Sequence, residues 1–245
     1  MKFSIKKMVF DRFPDLNVGV IVATNIHNKG EDEEIKKLLE EVEELIKDEY
    51  DLSTLDKHEL INPWRHAYKR FGSTPEKFHS SVERLMREVL VSGRLKTLNK
   101  IMDIINYISL KYIVPIGIDD LDEVIGDVEI AVSDGTETFI PIGDEKKNKP
   151  NKGEIIYKDD IEVLSRRWNW KGCYKTRITF ATHRAIIYID GIPPLGKTDI
   201  ENISKELGDM IKTSCDAEIQ QFVLNKETPE IEFDAKSKPL NVSAV

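Results

Sequence analysis

The pattern of apolar and polar positions divides the chain into a helix-rich first half and a strand-rich second half. Residues 17–23 (NVGVIVA) are a continuous β-branched run and predict a strand. Between residues 31 and 50, Ile35, Leu38, Leu39, Val42, Leu45, Ile46 and Tyr50 recur at steps of three and four. That spacing makes one apolar stripe on an otherwise charged helix. Thr74-Pro75-Glu76 predicts a second helix start, with Thr74 as N-cap and Pro75 at the first helical position. Phe78, Val82, Leu85, Met86, Val89 and Leu90 would share its inner face up to Ser92-Gly93. Residues 98–112 are apolar nearly all round and predict a buried helix packed against it.

From Pro115 the texture changes. Segments 128–132, 138–142, 154–157, 162–165 and 185–190 are short strand candidates separated by Gly, Asp, Asn and Pro, and 146–152 is a polar loop. Thr198-Asp199-Ile200-Glu201 has the form of a capping box and opens a helix carrying Ile200, Ile203, Leu207, Met210 and Ile211 inward. Residues 217–224 predict a last strand, and 226–245 a disordered tail. The expected class is α+β. One domain over 1–225 has helices of the first half packed on a β-rich core, with the motif-bearing part at 60–225 and an N-terminal strand and helix in 1–59.

Composition refines this picture. The 245 residues are 40% hydrophobic, and the net charge is −8, which excludes a generally basic nucleic-acid coat. The charge is uneven: residues 60–115 carry +6 and 158–185 carry +4, while 31–59 carry −9 and 116–157 carry −7. Two basic islands in an acidic chain are either a chance fluctuation or one composite anion-facing surface. Two cysteines, Cys173 and Cys215, offer neither a disulfide framework nor a metal set. No signal peptide and no membrane span is apparent, so a soluble, cytoplasmic protein is expected.

Candidate chemistry lies in four clusters. Arg166-Arg167-Trp168-Asn169-Trp170 joins two arginines, two indoles and an amide, a set able to stack a ring and clamp an anion, or simply to cover a bent β-segment. Trp64-Arg65-His66-Ala67-Tyr68-Lys69-Arg70-Phe71 suits a stacked single strand, or an amphipathic helical turn with Trp64, Tyr68 and Phe71 inward. Asn106 is an amide on a buried helix and must be hydrogen-bonded or face a pocket. Thr176, Thr179 and Thr182 would line one side of a turn or cap a loop. There is no nucleotide-binding glycine loop, and no His/Cys set with metal-ligand spacing. No cofactor and no metal are expected.

Residues 99–134 resemble the B3/4 domain of the phenylalanyl-tRNA synthetase beta subunit. The pattern N-N-V-V-D-I-T-N-Y there reads Asn99-Lys100-Ile101-Met102-Asp103-Ile104-Ile105-Asn106-Tyr107 here. P-x-H-A-F-D is met by Pro115-Ile116-Gly117-Ile118-Asp119, and G-x-I-x-V-R-x-A by the segment from Gly126 to Ala131. Thr179 to Ile187 resembles T-x-x-T-x-N-V-L-L, and the W-R-x-A-Y-x-x-F-G and R-R-W-N-W runs resemble free-standing B3/4 proteins. The resemblance implies an α+β fold with a pocket between its two halves. It also implies an editing site that hydrolyses a mischarged aminoacyl ester with a positioned water and no covalent nucleophile. On this resemblance Asn106 matches the pocket asparagine, Gly117 stands where the family has histidine, and Tyr188 stands where it has glutamate. A pocket without that His and Glu does not carry the family's preference for tyrosine.

The leading expectation is a trans-editing deacylase acting on the tRNA acceptor end or a similar aminoacyl-adenosine. Asn106, Thr179 and Thr182 would be catalytic, Arg166, Arg167, Trp168, Asn169, Trp170, Gly117 and Tyr188 would bind substrate, and Arg65, Arg70 and Lys100 would meet tRNA. The alternatives are a non-catalytic RNA-binding module and an amino-acid or small-molecule binding protein.

Overall fold

The computed structural model describes residues 1–144 and 146–235. Two short elements precede the β-branched run: a strand β1 (Lys2–Ile5) and one helical turn α1 (Lys7–Phe10). The run itself is β2 (Asn17–Thr24). Helix α2 (Glu33–Glu49) follows, capped by Asp32, whose carboxylate accepts from the Glu34 and Ile35 amides. Next come α3 (Asn62–Arg70), α4 (Ser81–Ser92) and α5 (Lys100–Tyr112). The strand-rich part holds β3 (Ile116–Asp120), β4 (Val128–Val132), β5 (Ile155–Lys158), β6 (Val163–Arg166), β7 (Lys171–Gly172) and β8 (Ala185–Gly191). Helix α6 (Lys197–Ser214), β9 (Glu218–Leu224) and β10 (Glu230–Glu232) complete it. The class is α+β.

The strands form two sheets, one of six in the order β10-β1-β4-β5-β6-β7 and one of four in the order β3-β8-β2-β9. Period-two alternation gives the four-stranded sheet two apolar faces. Val18, Val20, Val22, Ile186 and Tyr188 meet the six-stranded sheet and α3. Ile21, Ala23, Ile187 and Ile189 meet α2, α4, α5 and α6. The result is three layers: sheet, sheet, helices. Gly19 on β2 belongs to this packing, because a Cβ there would lie 2.3 Å from Ser204 Oγ of α6.

Several expectations are corrected. Thr74-Pro75 forms an isolated turn, with the Lys77 and Phe78 amides donating to the Thr74 carbonyl. The helix begins only at Ser81, where Ser80 caps the Glu83 amide, and Phe78 is freed to pack on Trp170. Segment 138–142 makes only two bridges, Phe139 to Asn148 and Pro141 to Cys173; Pro141 has no amide with which to extend a ladder. Helix α6 starts at Lys197, ahead of the expected cap Thr198, because Asp199 reaches back to the Gly196 amide at 2.8 Å. Strands β1 and β3 were not foreseen. Within the expected tail, β10 pairs antiparallel with β1 and Phe233 is buried; residues 236–245 lie outside the described residues. No helix of the described residues is long and apolar enough to cross a membrane.

Candidate active site

Between the two sheets lies a cavity of about 200 Å³. Period two along β8 sends Ile186, Tyr188 and Asp190 to this inter-sheet side, and on β3 Gly117 and Asp119 follow the same rule. The opposite wall is β6, β7 and the bend between them, which contributes Trp168, Asn169, Trp170 and Lys171. Tyr157 of β5 packs against Tyr188 with the rings tilted by 33° and their centroids 4.5 Å apart. The start of α4 adds Ser81 and Arg84.

Two buried carboxyls define the chemistry. Asp190 is saturated with donors: the Tyr157 hydroxyl at 2.5 Å, the Trp168 indole N–H at 3.2 Å and the Asn169 amide at 3.0 Å. Burial raises its pKa to about 6 against these three bonds. Asp119 is differently placed. Its Oδ1 accepts from the Thr176 hydroxyl, its Oδ2 accepts no hydrogen bond among the described residues, and burial raises its pKa to about 7. The buried Tyr188 hydroxyl lies beside Asp119 but outside hydrogen-bond geometry, and has no partner among the described residues.

Gly117, Trp168, Asn169, Trp170 and Tyr188 therefore come together on one cavity. The tryptophan bend is strained: Arg167 and Trp168 both have left-handed backbone, φ 47° and 64°. Trp168 is fully buried, edge-on to Phe13 and Trp64. Asn169 accepts from the Tyr68 hydroxyl at 2.9 Å and, through its backbone carbonyl, holds the Ser81 amide.

The remaining expected site residues do not converge there. Asn106 is buried on α5 in the helical layer, and Thr182 is buried with its hydroxyl donating to Asp120 at 2.6 Å. Thr179 lines a neighbouring groove with Leu98, Met102 and Phe180. That groove shares Ile118, Asp119, Ile142 and Gly172 with the cavity. Arg166 is buried in a two-bond pair with Glu154, at 2.7 and 2.9 Å. Arg167 is buried over the Phe78 ring at 3.5 Å and the Trp170 ring at 4.7 Å. Neither arginine lines the cavity.

Several cations of the basic islands are paired with acids rather than left open. Arg65, expected on the surface, is buried and bonded to Glu83 at 2.8 Å, and Trp64, Tyr68 and Phe71 face the core. Arg87 also binds Glu83, Lys175 binds Asp159 and Glu162, and Arg184 binds Asp122. Arg70 is exposed, over Phe13 and against the Arg12 carbonyl, and Lys100 donates to the Ser214 carbonyl. Among the described residues no cluster of His, Cys, Asp or Glu could hold a metal ion.

Asp190, Tyr157 and Ser81 were missed in the sequence, and Asp119 was read only as part of a motif. One signal was available: along 185–191 the alternation sets Asp190 on the same face as Tyr188.

An N-terminal fragment of the phenylalanyl-tRNA synthetase beta-subunit from Pyrococcus horikoshii is similar at 12% identity and a TM-score of 0.45. The match covers 91% of this chain, which spans about half of that fragment (54%). No curated protein matches the chain. The family model for the B3/4 domain matches residues 63–227, a segment that holds both carboxyls, both packed tyrosines and the tryptophan bend. The chain belongs to the B3/4 domain family.

Proposed function

We propose that the chain hydrolyses the ester of a mischarged aminoacyl-tRNA, with the inter-sheet cavity holding the amino-acid side chain. The observation that supports this reading is the cavity itself. It lies within the B3/4 match, and Gly117 and Tyr188 line it side by side. In the resemblance these two stand where the family carries its pocket His and Glu. A volume of about 200 Å³ suits one side chain, below the roughly 300–1,000 Å³ of pockets for larger ligands.

In this reading the ester stays toward the exposed Arg84, with Lys171 and the Ser81 hydroxyl also on the cavity wall. A water attacks the carbonyl carbon, the C–O bond to the ribose breaks, and the proton passes to the departing ribose oxygen. The cations stabilise the oxyanion of the intermediate. Thr179 and Phe180 would meet the adenosine in the adjoining groove. Asn106 and Thr182 would act as positioning residues behind the site.

The test is a panel of aminoacylated tRNAs incubated with wild type and with Arg84→Met/Lys171→Met. Release of at least one amino acid, reduced at least tenfold in the double variant, is expected. No hydrolysis of any member overturns the reading. A second reading, an amino-acid binding protein without tRNA, is favoured by the pairing of Arg65, Arg166, Lys175 and Arg184 with acids, which removes these four cations from phosphate contact.

A further inference from the structure

We propose that the inter-sheet cavity selects a side chain ending in a primary ammonium, with Asp119 as its counter-charge. The inference rests on the reading that this cavity holds the amino acid.

The argument begins with what each acid lacks. Asp190 already accepts three hydrogen bonds, so it has no need of a ligand. Asp119 is 4% exposed, accepts one, and forms no ion pair among the described residues. Lys175, the cation that acts on it, is held by Asp159 at 2.8 Å and Glu162 at 3.1 Å. A buried carboxylate without a cation is costly, and it resists ionisation until one arrives. Burial raises its pKa to about 7.

The surroundings fit an ammonium. Tyr188 is 2% exposed and lines the cavity, and its hydroxyl oxygen, beside Asp119, accepts no hydrogen bond among the described residues, so it offers a second acceptor. An ammonium has three N–H groups to share between two such acceptors. Tyr157, Tyr188, Trp168 and Trp170 supply aromatic wall, which favours a cation over a neutral chain. A phenol would donate a single bond and bring no counter-charge to Asp119. Depth decides which ammonium is meant. The α-amine is one carbon from the ester, and the ester end belongs with exposed Arg84, so the group reaching buried Asp119 is the side-chain terminus.

The groups facing Asp119 are Thr176, Tyr188, Tyr157, Cys173, Asp159 and Lys175. Of these and Asp119 itself, Asp119 titrates near neutrality, so selectivity should strengthen as pH rises through 7.

The experiment is calorimetric titration of the full chain with the methyl esters of L-lysine, L-ornithine, L-norleucine and L-tyrosine. Norleucine shares the α-amine and the alkyl chain and lacks only the terminal charge. The lysine or ornithine ester is expected to bind at least tenfold tighter than norleucine at pH 8, with the gap narrowing at pH 5.5. Asp119→Asn, which can still accept from Thr176, is expected to remove the preference, and Tyr188→Phe to reduce it; melting curves establish that both fold. Equal binding of norleucine, tightest binding of tyrosine, an unchanged preference in Asp119→Asn, or no binding at all overturns the inference. Basic esters that bind while no aminoacyl-tRNA is hydrolysed support it and overturn the deacylase reading alone. Hydrolysis of a neutral aminoacyl-tRNA without preference for basic esters does the reverse.

Discussion

Gly117 and Tyr188 face each other across β3 and β8 as Cα partners, and a Cβ built on Gly117 would lie 3.3 Å from Tyr188 Cδ2. The aromatic ring on one strand occupies the room that a side chain on the other would need. In the resemblance these are the positions of the family's histidine and glutamate, and on that register the two replacements are one exchange of volume between neighbours. This is a reason to treat the cavity as reshaped for a different ligand.

The first prediction follows from that pairing. Gly117→His in the presence of Tyr188 overpacks the cavity wall and costs about 1–3 kcal/mol. Adding Tyr188→Ala relieves the clash, so the double variant is less destabilised than the sum of the singles by about 1 kcal/mol or more. Urea unfolding of all four members of the cycle measures the coupling.

Glu83 is fully buried and carries Arg65 at 2.8 Å and Arg87 at 2.9 Å, with His79 nearby. Glu83→Leu leaves buried Arg65 with only the exposed Glu76, at 3.3 Å, as an acid partner and is expected to cost about 3 kcal/mol. Sodium chloride at high concentration should leave that loss nearly intact, because a buried pair is poorly screened. A loss under 1 kcal/mol in denaturant unfolding would show that the pair is not part of the core.

Asp190→Ala strands three buried donors, on Tyr157, Trp168 and Asn169. The expected cost is about 3 kcal/mol or more, since each orphaned group costs on the order of 1 kcal/mol or above. Asp190→Asn keeps an acceptor and should cost less. Equilibrium unfolding followed by tryptophan fluorescence ranks the two.

Stability should fall as pH rises from about 4 to 7. The folded state raises Asp119 from 3.8 to about 7 and Asp190 to about 6, so in that window it binds protons that the unfolded chain has released. The stabilising protonated forms are fully present below the unfolded value and are lost as pH passes the folded ones. Ionising Asp119 in its buried position costs on the order of 4 kcal/mol. Asp119→Asn should therefore gain on wild type between pH 4.5 and pH 8 in denaturant titrations. A constant difference would refute the assignment.

A chain ending at residue 225 loses β10 from the edge of β1 and the buried Phe233. Burying one such side chain is worth about 2 kcal/mol, which corresponds to a drop of about 5 °C in melting temperature for a protein of this size. Calorimetry against a chain ending at residue 235 isolates the contribution.

Much of the architecture was legible because it depends on local periodicity. Strand β2, helices α2 and α5 and strands β4, β5, β6, β8 and β9 follow from the spacing of apolar residues, which any neighbour must respect. The family was legible as well, through runs of residues in fixed order. Element ends were read less well: Thr74 and Thr198 both have capping chemistry, yet α4 is capped by Ser80, and α6 starts from Gly196, whose amide donates to Asp199.

The site depended on pairing between distant strands, which no local pattern encodes. Arg65 and Arg166 look like surface cations until α4 supplies Glu83 and the start of β5 supplies Glu154. Asp119 and Asp190 look like strand-end polar residues until the two sheets close over them. Sequence alone determined most of the longer elements, the class and the family, because propensity and periodicity act over a few residues. Only the tertiary structure decided which charges are neutralised, and that Asp119 is left with one hydrogen bond and no ion pair among the described residues, because that follows from which strands lie side by side and how deeply they are buried.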